Sequence, residues 1–330
     1  MVDDEIQVLM ARARAAQAQI NDYSQEQVDE LVTSVAWHVV RDAEALARIA
    51  VDEGGFGNYE SKVSKIRNRV AGTLADMRSV RTVGVVEELP ERGIVKIAKP
   101  VGVVAALIPT TGPDATPPVK ALCALKGRNA IIVSPHPRTK ESSALVVQRM
   151  REGCEQVGAP ADLVQGIRNP SIPKTQDLMA AADLVVATGG AGMVKAAYSS
   201  GTPAYGVGVG NSVHVVDETA DLEDAATTIA RAKTFDEATS CLADNAVVAH
   251  ASIYDALLER LAAEGGYLCD AEAKARLQKA MWPKGGHIPS IEVIAKPASK
   301  IADLAGIQLP AGKTFLIVEE GGVGPEHPFS

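Results

Sequence analysis

Apolar and polar positions along this chain follow a helical period first and then an alternation of short apolar runs with helical ones. From about residue 5 to residue 80, apolar residues recur at helical spacing among Ala, Arg, Glu and Val, which predicts a helical layer. Ser24 is placed to cap a helix running through Gln27, Leu31, Val35 and Val39. The pattern then changes: IVKIAKPVGVVAALIP holds two short β-rich runs, and NAIIVSPHP holds another that ends at Ser134. Between them, PPVKALCALKG (117–127) keeps the 3.6 spacing of a helix that starts after proline and stops at glycine. Strand, helix and strand within about 30 residues predict a βαβ unit with a right-handed crossover.

The unit repeats in kind. SSALVVQRMREGCEQVG reads as an amphipathic helix, DLVVATGG as a strand ending in glycines, and AGMVKAAYSSG as a further helix. Such alternation predicts a parallel sheet with helices on both faces. In NSVHVVDETADLEDAATTIARAKTF a strand leads through an acidic turn into a helix that can use Asp221 as its cap, so a second α/β layer is predicted to start there. With no fixed-period repeat and no Pro/Gly/Ser linker, two closely packed domains are expected, 1–215 and 216–330, with the chain crossing between them around 212 to 235.

Composition narrows the function. The chain has 330 residues, 46% hydrophobic and 4% aromatic, ample for a buried core and long for one average domain. Lys plus Arg total 33 against 41 Asp plus Glu, a net charge of -8 with no long basic run, which argues against a nucleic-acid partner. The first residues are acidic and then amphipathic, unlike a signal peptide, and read as the first body helix. Gly, Pro or charge interrupts every apolar run before the roughly 18 residues of a membrane span, so no membrane partner is expected. The cysteines at 123, 154, 241 and 269 have neither disulfide-scaffold density nor CxxC spacing, which fits a reducing, cytoplasmic setting.

Candidate chemistry lies in few places. Gly189, Gly190 and Gly192 follow the run LVVAT and open a helix, where backbone N–H groups can meet a phosphate, although the spacing is not GxGxxG and a tight turn explains the glycines equally well. GVGVGN (206–211) reads as a phosphate loop or, slightly better, as a close-packed turn. Cys241, in TFDEATSCLADN, sits among polar and small residues, the setting of an accessible thiol. Cys123, between Leu122 and Ala124 on an apolar helix, reads as a small buried hydrophobe, and Cys154 and Cys269 also read as structural. Histidines 38, 136, 214, 250, 287 and 327 form no HxxxH pair, so no metal site is predicted. From the residues alone the chain is a nucleotide-binding α/β protein with one plausible cysteine.

Four segments in order, KPVGVVAALIPTTGP (99–113), ALKGRNAIIVSPHPR (124–138), ATGGAGMVKAAYSSGTPAYGVGVGN (187–211) and KTFDEATSCLADNAVV (233–248), give the chain a resemblance to the acylating branch of the aldehyde dehydrogenase superfamily. The resemblance covers the chain from about residue 5, the first body helix matching the family's own with no extension before it. It implies a Rossmann-like parallel-sheet cofactor domain plus a second α/β catalytic domain, C-terminally incomplete because family members continue for on the order of a hundred residues past a segment like GPEHPFS. A catalytic sheet cut in this way is expected to leave an unpaired edge and exposed apolar surface. It also implies NAD or NADP as cofactor and coenzyme A as co-substrate, a small aldehyde of the acetaldehyde or sulfoacetaldehyde type, and a homo-oligomer in full-length relatives. Cys241 is implied to attack the aldehyde and carry the resulting thioester. Thr110 and Thr111 are implied to line the nicotinamide side of the cleft, Ser134 and His136 to lie near the adenosine ribose, and Thr188 with Gly189 to sit at the phosphates or nicotinamide ribose.

Two departures matter. Hydrolytic relatives place a glutamate base where this chain has about Val207, which accepts no proton, so thioester transfer is favoured over hydrolysis. Relatives also read PxTNP where this chain has Gly112, and loss of one oxyanion donor costs on the order of a hundred- to a thousand-fold in rate. With the shortened C-terminus, Gly112 motivates an alternative reading: a catalytically impaired homologue that keeps nucleotide binding or an interaction role.

Overall fold

A computed structural model describes residues 2–286 and 288–330, so His287 lies outside the described residues. Contacts divide the chain into two units, one running from the N-terminus to Gly55 together with Lys62–Val209, the other made of Phe56–Ser61 and Gly210–Ser330.

The first unit opens with helices α1 (Asp4–Gln19), α2 (Gln25–Arg41), α3 (Ala43–Gly54) and, from Lys62 onward, α4 (Tyr59–Met77). Ser24 caps α2 as expected and does so in a full capping box, its hydroxyl accepting from Gln27 N–H while the Gln27 side chain accepts from Ser24 N–H. Val28, Leu31, Val32, Val35 and Val39 form the buried stripe of that helix. Strands β1 (Gly84–Leu89) and β2 (Ile94–Ala98) pair as an antiparallel ribbon. They are followed by β3 (Val103–Leu107), α5 (Thr116–Lys126), β4 (Ala130–Ser134), α6 (Lys140–Gln156), β5 (Val164–Gly166), α7 (Ile172–Ala181), β6 (Leu184–Thr188), α8 (Ala191–Tyr198) and β7 (Ala204–Val207).

Five of these strands make one parallel sheet in the order β5-β4-β3-β6-β7. The central strands β3 and β4 are buried at every position, as the apolar runs VVAAL and AIIVS require of a sheet covered on both faces. Pro117 and Pro118 sit in the first turn of α5, where no intrahelical N–H is needed. A Cβ at Gly153 would stand 2.7 Å from Val35 Cα, so glycine lets α6 approach α2, and Ser34 Oγ donates to Gly153 O at 2.8 Å. Cys123 departs from its expected burial: Leu122 and Leu125 take the core side of α5 and leave Cys123 exposed.

The second unit contains β8 (Ser212–Val216), α9 (Leu222–Thr234), β9 (Asp244–Ala249), α10 (Tyr254–Ala263), β10 (Gly266–Leu268), α11 (Ala271–Met281), α12 (Ala298–Leu304) and β11 (Phe315–Ile317). Asp221 caps α9, accepting from Glu223 N–H and Asp224 N–H, as the acidic turn predicts. Its strands pair in parallel twos, β8 with β9 and β10 with β11. Val216, Ala226, Ile229, Leu257 and Phe315 build one small core, while Val213, Val215 and Val248 on the β8–β9 pair stay exposed. No helix among the described residues is long and apolar enough to cross a membrane.

Candidate functional site

In the first unit the register aligns the carboxyl ends of three neighbouring strands: Leu107 pairs with Ser134 on one side and with Ala187 on the other. Chain order reverses between β3 and β6, and in open α/β sheets ligands bind at that edge and at such a reversal. Thr110 and Thr111 lie half-buried in the turn that follows β3. Ser134 ends β4, and half-buried His136 comes two residues later; Thr188 ends β6, and Gly189 starts the turn into α8. The fold thus gathers all six residues along one sheet edge.

Their environments differ. Ser134 is buried, its hydroxyl 2.9 Å from that of Thr175 on α7. His136 Nδ1 accepts from Arg138 N–H at 3.2 Å, and burial, with the Arg138 charge, pushes its imidazole below the usual value. Gly189 N–H donates to Val207 O at 3.1 Å, which fixes the turn against β7. Gly190 then caps α8, and a Cβ at Gly190 or Gly192 would meet nothing within 4 Å. That open backbone at a helix start has the room and the outward N–H groups that a phosphate needs.

Lys120, in sequence an ordinary helical lysine, belongs to this edge. Its ammonium donates to Leu107 O at 2.7 Å and Val186 O at 2.9 Å, bridging the two strands at the reversal, while burial pushes its pKa down to about 7. In the same unit Asp114 is fully buried, with Lys65 Nζ 3.5 Å away, just beyond buried Gly112. A Cβ at Gly112 would stand 2.6 Å from Thr116 Oγ1.

In the second unit Cys241 is exposed on the turn between α9 and β9, closed by Ala243 N–H donating to Ser240 O at 3.0 Å. The turn lies against the end of the GVGVGN segment, since a Cβ at Gly210 would come 2.6 Å from Cys241 O. GVGVGN itself is divided: its first two residues end β7, where Val207 is half exposed, and its last residues lead into β8. Three residues past Cys241, Asp244 Oδ2 lies 2.7 Å from His214 Nε2 across the β8–β9 pair.

The approach to Cys241 is strained. Asp236, Glu237 and Ala238 have φ of 50°, 51° and 55°, three successive left-handed residues, none of them glycine. Each such residue costs about 1 to 2 kcal/mol, so surrounding contacts must hold the segment. Asp236 is fully buried and its Oδ1 accepts from Asn58 N–H at 3.0 Å. Its carbonyl accepts from Thr239 N–H at 3.0 Å and from the Thr239 hydroxyl. Burial raises the Glu237 carboxyl, a hydrogen bond with Asn58 opposes that, and the Asp236 charge adds to it. The other two cysteines are buried, and burial takes the Cys154 thiol up to about 12. Among the described residues no group of three or more His, Cys, Asp or Glu is arranged to hold a metal.

The sequence profile of the Aldehyde dehydrogenase family matches residues 2–268. The chain is 45% identical over 315 residues to the sulfoacetaldehyde dehydrogenase (acylating) of Bilophila wadsworthia, covering 94% of this chain and 68% of that protein. Across the curated relatives most similar to it, the chain spans about two thirds of their length. Among solved structures, an acetylating aldehyde dehydrogenase from Geobacillus thermoglucosidasius superposes with a TM-score of 0.94 at 37% identity, over 98% of this chain and 72% of that one. A propionaldehyde dehydrogenase from Rhodopseudomonas palustris, solved with bound CoA and an acylated cysteine, superposes with a TM-score of 0.84 at 30% identity, over 99% of this chain and 74% of that one.

Proposed function

The chain belongs to the aldehyde dehydrogenase family, and on that premise we propose that it oxidises a short aldehyde to its acyl-CoA with reduction of NAD or NADP, through Cys241. The observation that carries the reading is the exposed Cys241 thiol on a turn held against Gly210. The similarity to an acylating sulfoacetaldehyde dehydrogenase supports a sulfoacetaldehyde-type or acetaldehyde-type substrate.

The Cys241 thiolate attacks the aldehyde carbon, a C–S bond forms, and the carbonyl oxygen becomes an oxyanion. Cys241's own backbone N–H is the donor left for that oxyanion, because Gly112 has no side chain to offer one. When bound, the nicotinamide supplies the acceptor for the hydride lost from the same carbon. Thr110 and Thr111 are the residues for the nicotinamide side of the cleft and Thr188 with Gly189 those for the phosphates or nicotinamide ribose, with the open backbone at Gly190 and Gly192 the part that fits phosphate. Ser134 and His136 are the residues for the adenosine ribose. The thioester left on Cys241 meets no carboxylate at position 207 to activate water, whereas a CoA thiolate needs no such base and releases Cys241 by attacking the acyl carbon.

The test is NADH formation from sulfoacetaldehyde or acetaldehyde, with and without CoA. CoA-dependent NADH that falls on the order of 10⁴-fold or more in Cys241→Ala is the expected result. CoA-independent formation of free acid would replace this reading with hydrolysis. Nucleotide binding without turnover would favour the impaired homologue that Gly112 suggests.

A further inference from the structure

Phe56–Ser61 groups with the second unit although the residues on either side of it in sequence group with the first. What it meets there is the segment leading into Cys241. A Cβ at Gly57, whose φ is +69°, would fall 1.9 Å from Asp236 Oδ1, 2.6 Å from Asp236 Cγ and 2.9 Å from Thr239 Oγ1. The next residue, Asn58, donates its backbone N–H to Asp236 Oδ1 at 3.0 Å and hydrogen-bonds Glu237 through its side chain. Asn58 Oδ1 in turn accepts from Ser61 N–H at 2.9 Å at the start of α4. A short piece of the N-terminal chain therefore holds Asp236 and Glu237, the first two of the three left-handed residues, five and four positions before the cysteine.

We propose that Asp236 is a positioning residue for Cys241, its buried carboxylate clasped by the Gly57–Asn58 backbone so that the left-handed segment 236–238 presents the thiol in one geometry. The inference rests on Cys241 being the nucleophile. The chemistry explains each part. A left-handed triplet without glycine persists only where neighbours over-determine it. Asp is among the few residues with a side chain able to stabilise such backbone locally. The carboxylate finds its N–H donor only because Gly57 has no Cβ, so the glycine and the aspartate act as one device.

Alkylation of Cys241 by iodoacetamide, measured against exposed Cys123 in the same molecule by peptide mass spectrometry, tests this without needing turnover. Asp236→Gly removes the carboxylate while tolerating the backbone, and Asp236→Asn keeps an acceptor oxygen. With the fold intact by circular dichroism, Asp236→Gly is expected to lower the Cys241-to-Cys123 ratio and kcat on the order of tenfold to a hundredfold, with KM for the nucleotide unchanged. Asp236→Asn should recover most of both. Gly57→Ala should behave like Asp236→Gly, and the double variant should lose little more than either alone, because both break one contact. If Gly57→Ala does not fold, the Asp236 pair decides. Equal ratios in wild type, Asp236→Gly and Asp236→Asn would overturn the positioning role while leaving Cys241 as nucleophile. A wild-type Cys241 no more reactive than Cys123, with no turnover, would overturn the nucleophile reading itself.

Discussion

The two units hold their candidate residues by opposite means. In the first, Thr110 and Ser134 stand at or just beyond the ends of strands whose centres, Ala105, Ala106, Ile131 and Ile132, are fully buried, and Thr188 ends the neighbouring strand β6, where Val185 and Ala187 are buried. In the second, Cys241 hangs on a turn reached through three left-handed residues beside strands with exposed valines. A binding edge built on relaxed, buried strands costs no strain and tolerates variation beyond it. A turn built on strain depends on a few contacts. Damage to the first unit should therefore show mainly as lost stability, and damage to the second as lost reactivity.

The largest expected effect that can break this contrast is in the core. Leu107 is fully buried at the end of β3, and Leu107→Ala should lower stability by about 2 to 5 kcal/mol in urea unfolding. Alkylation of Cys241 in the molecules that remain folded should be unchanged; a parallel fall in reactivity would show that the two regions are not held independently.

Gly112→Asn gives a smaller effect, at the oxyanion. Adding back an amide should raise acyl-CoA formation, but the new Cβ meets Thr116 Oγ1 at 2.6 Å, so the threonine must rotate. The gain expected from the single change is on the order of tenfold, less than a full oxyanion donor provides. Combining it with Thr116→Ala should give more. A rate that stays flat in both folded variants would mean that position 112 does not face the oxyanion.

A further effect concerns pH. Burial holds Lys120 at about 7, against 10.5 for an unburied lysine. Between those values the unfolded chain binds the extra proton, so stability should rise as pH rises through that window. Lys120→Met should lack that part of the slope when urea midpoints are compared at neutral and alkaline pH. Equal slopes would mean that the carbonyls of Leu107 and Val186 keep the ammonium charged throughout.

The same contrast governs what the sequence reveals. Apolar period, proline at helix starts and glycine after strands report regular structure, which is why the helical layer, the βαβ unit, the Ser24 and Asp221 caps and the glycine turn at 189 were legible. The short strands β5, β7, β10 and β11 were not, having three or four residues each and little burial pattern. Cys123 reads as buried in the sequence yet is exposed, because its apolar neighbours occupy the buried side of α5 and say nothing about the side between them. Within the site, Cys241 stood out by its polar setting. Lys120 looked like any helical lysine, and Asp236 lies in backbone that only the tertiary contact with Gly57 and Asn58 makes possible.

As the nucleophile, Cys241 carries an acyl group that CoA removes and water does not. Peptide mass spectrometry of the chain after incubation with sulfoacetaldehyde or acetaldehyde and NAD, without CoA, tests it most directly. The expected result is an acyl adduct on the Cys241 peptide that persists in buffer and disappears, with release of acyl-CoA, when CoA is added. An adduct on another residue, or one that water discharges to free acid at a comparable rate, would contradict it.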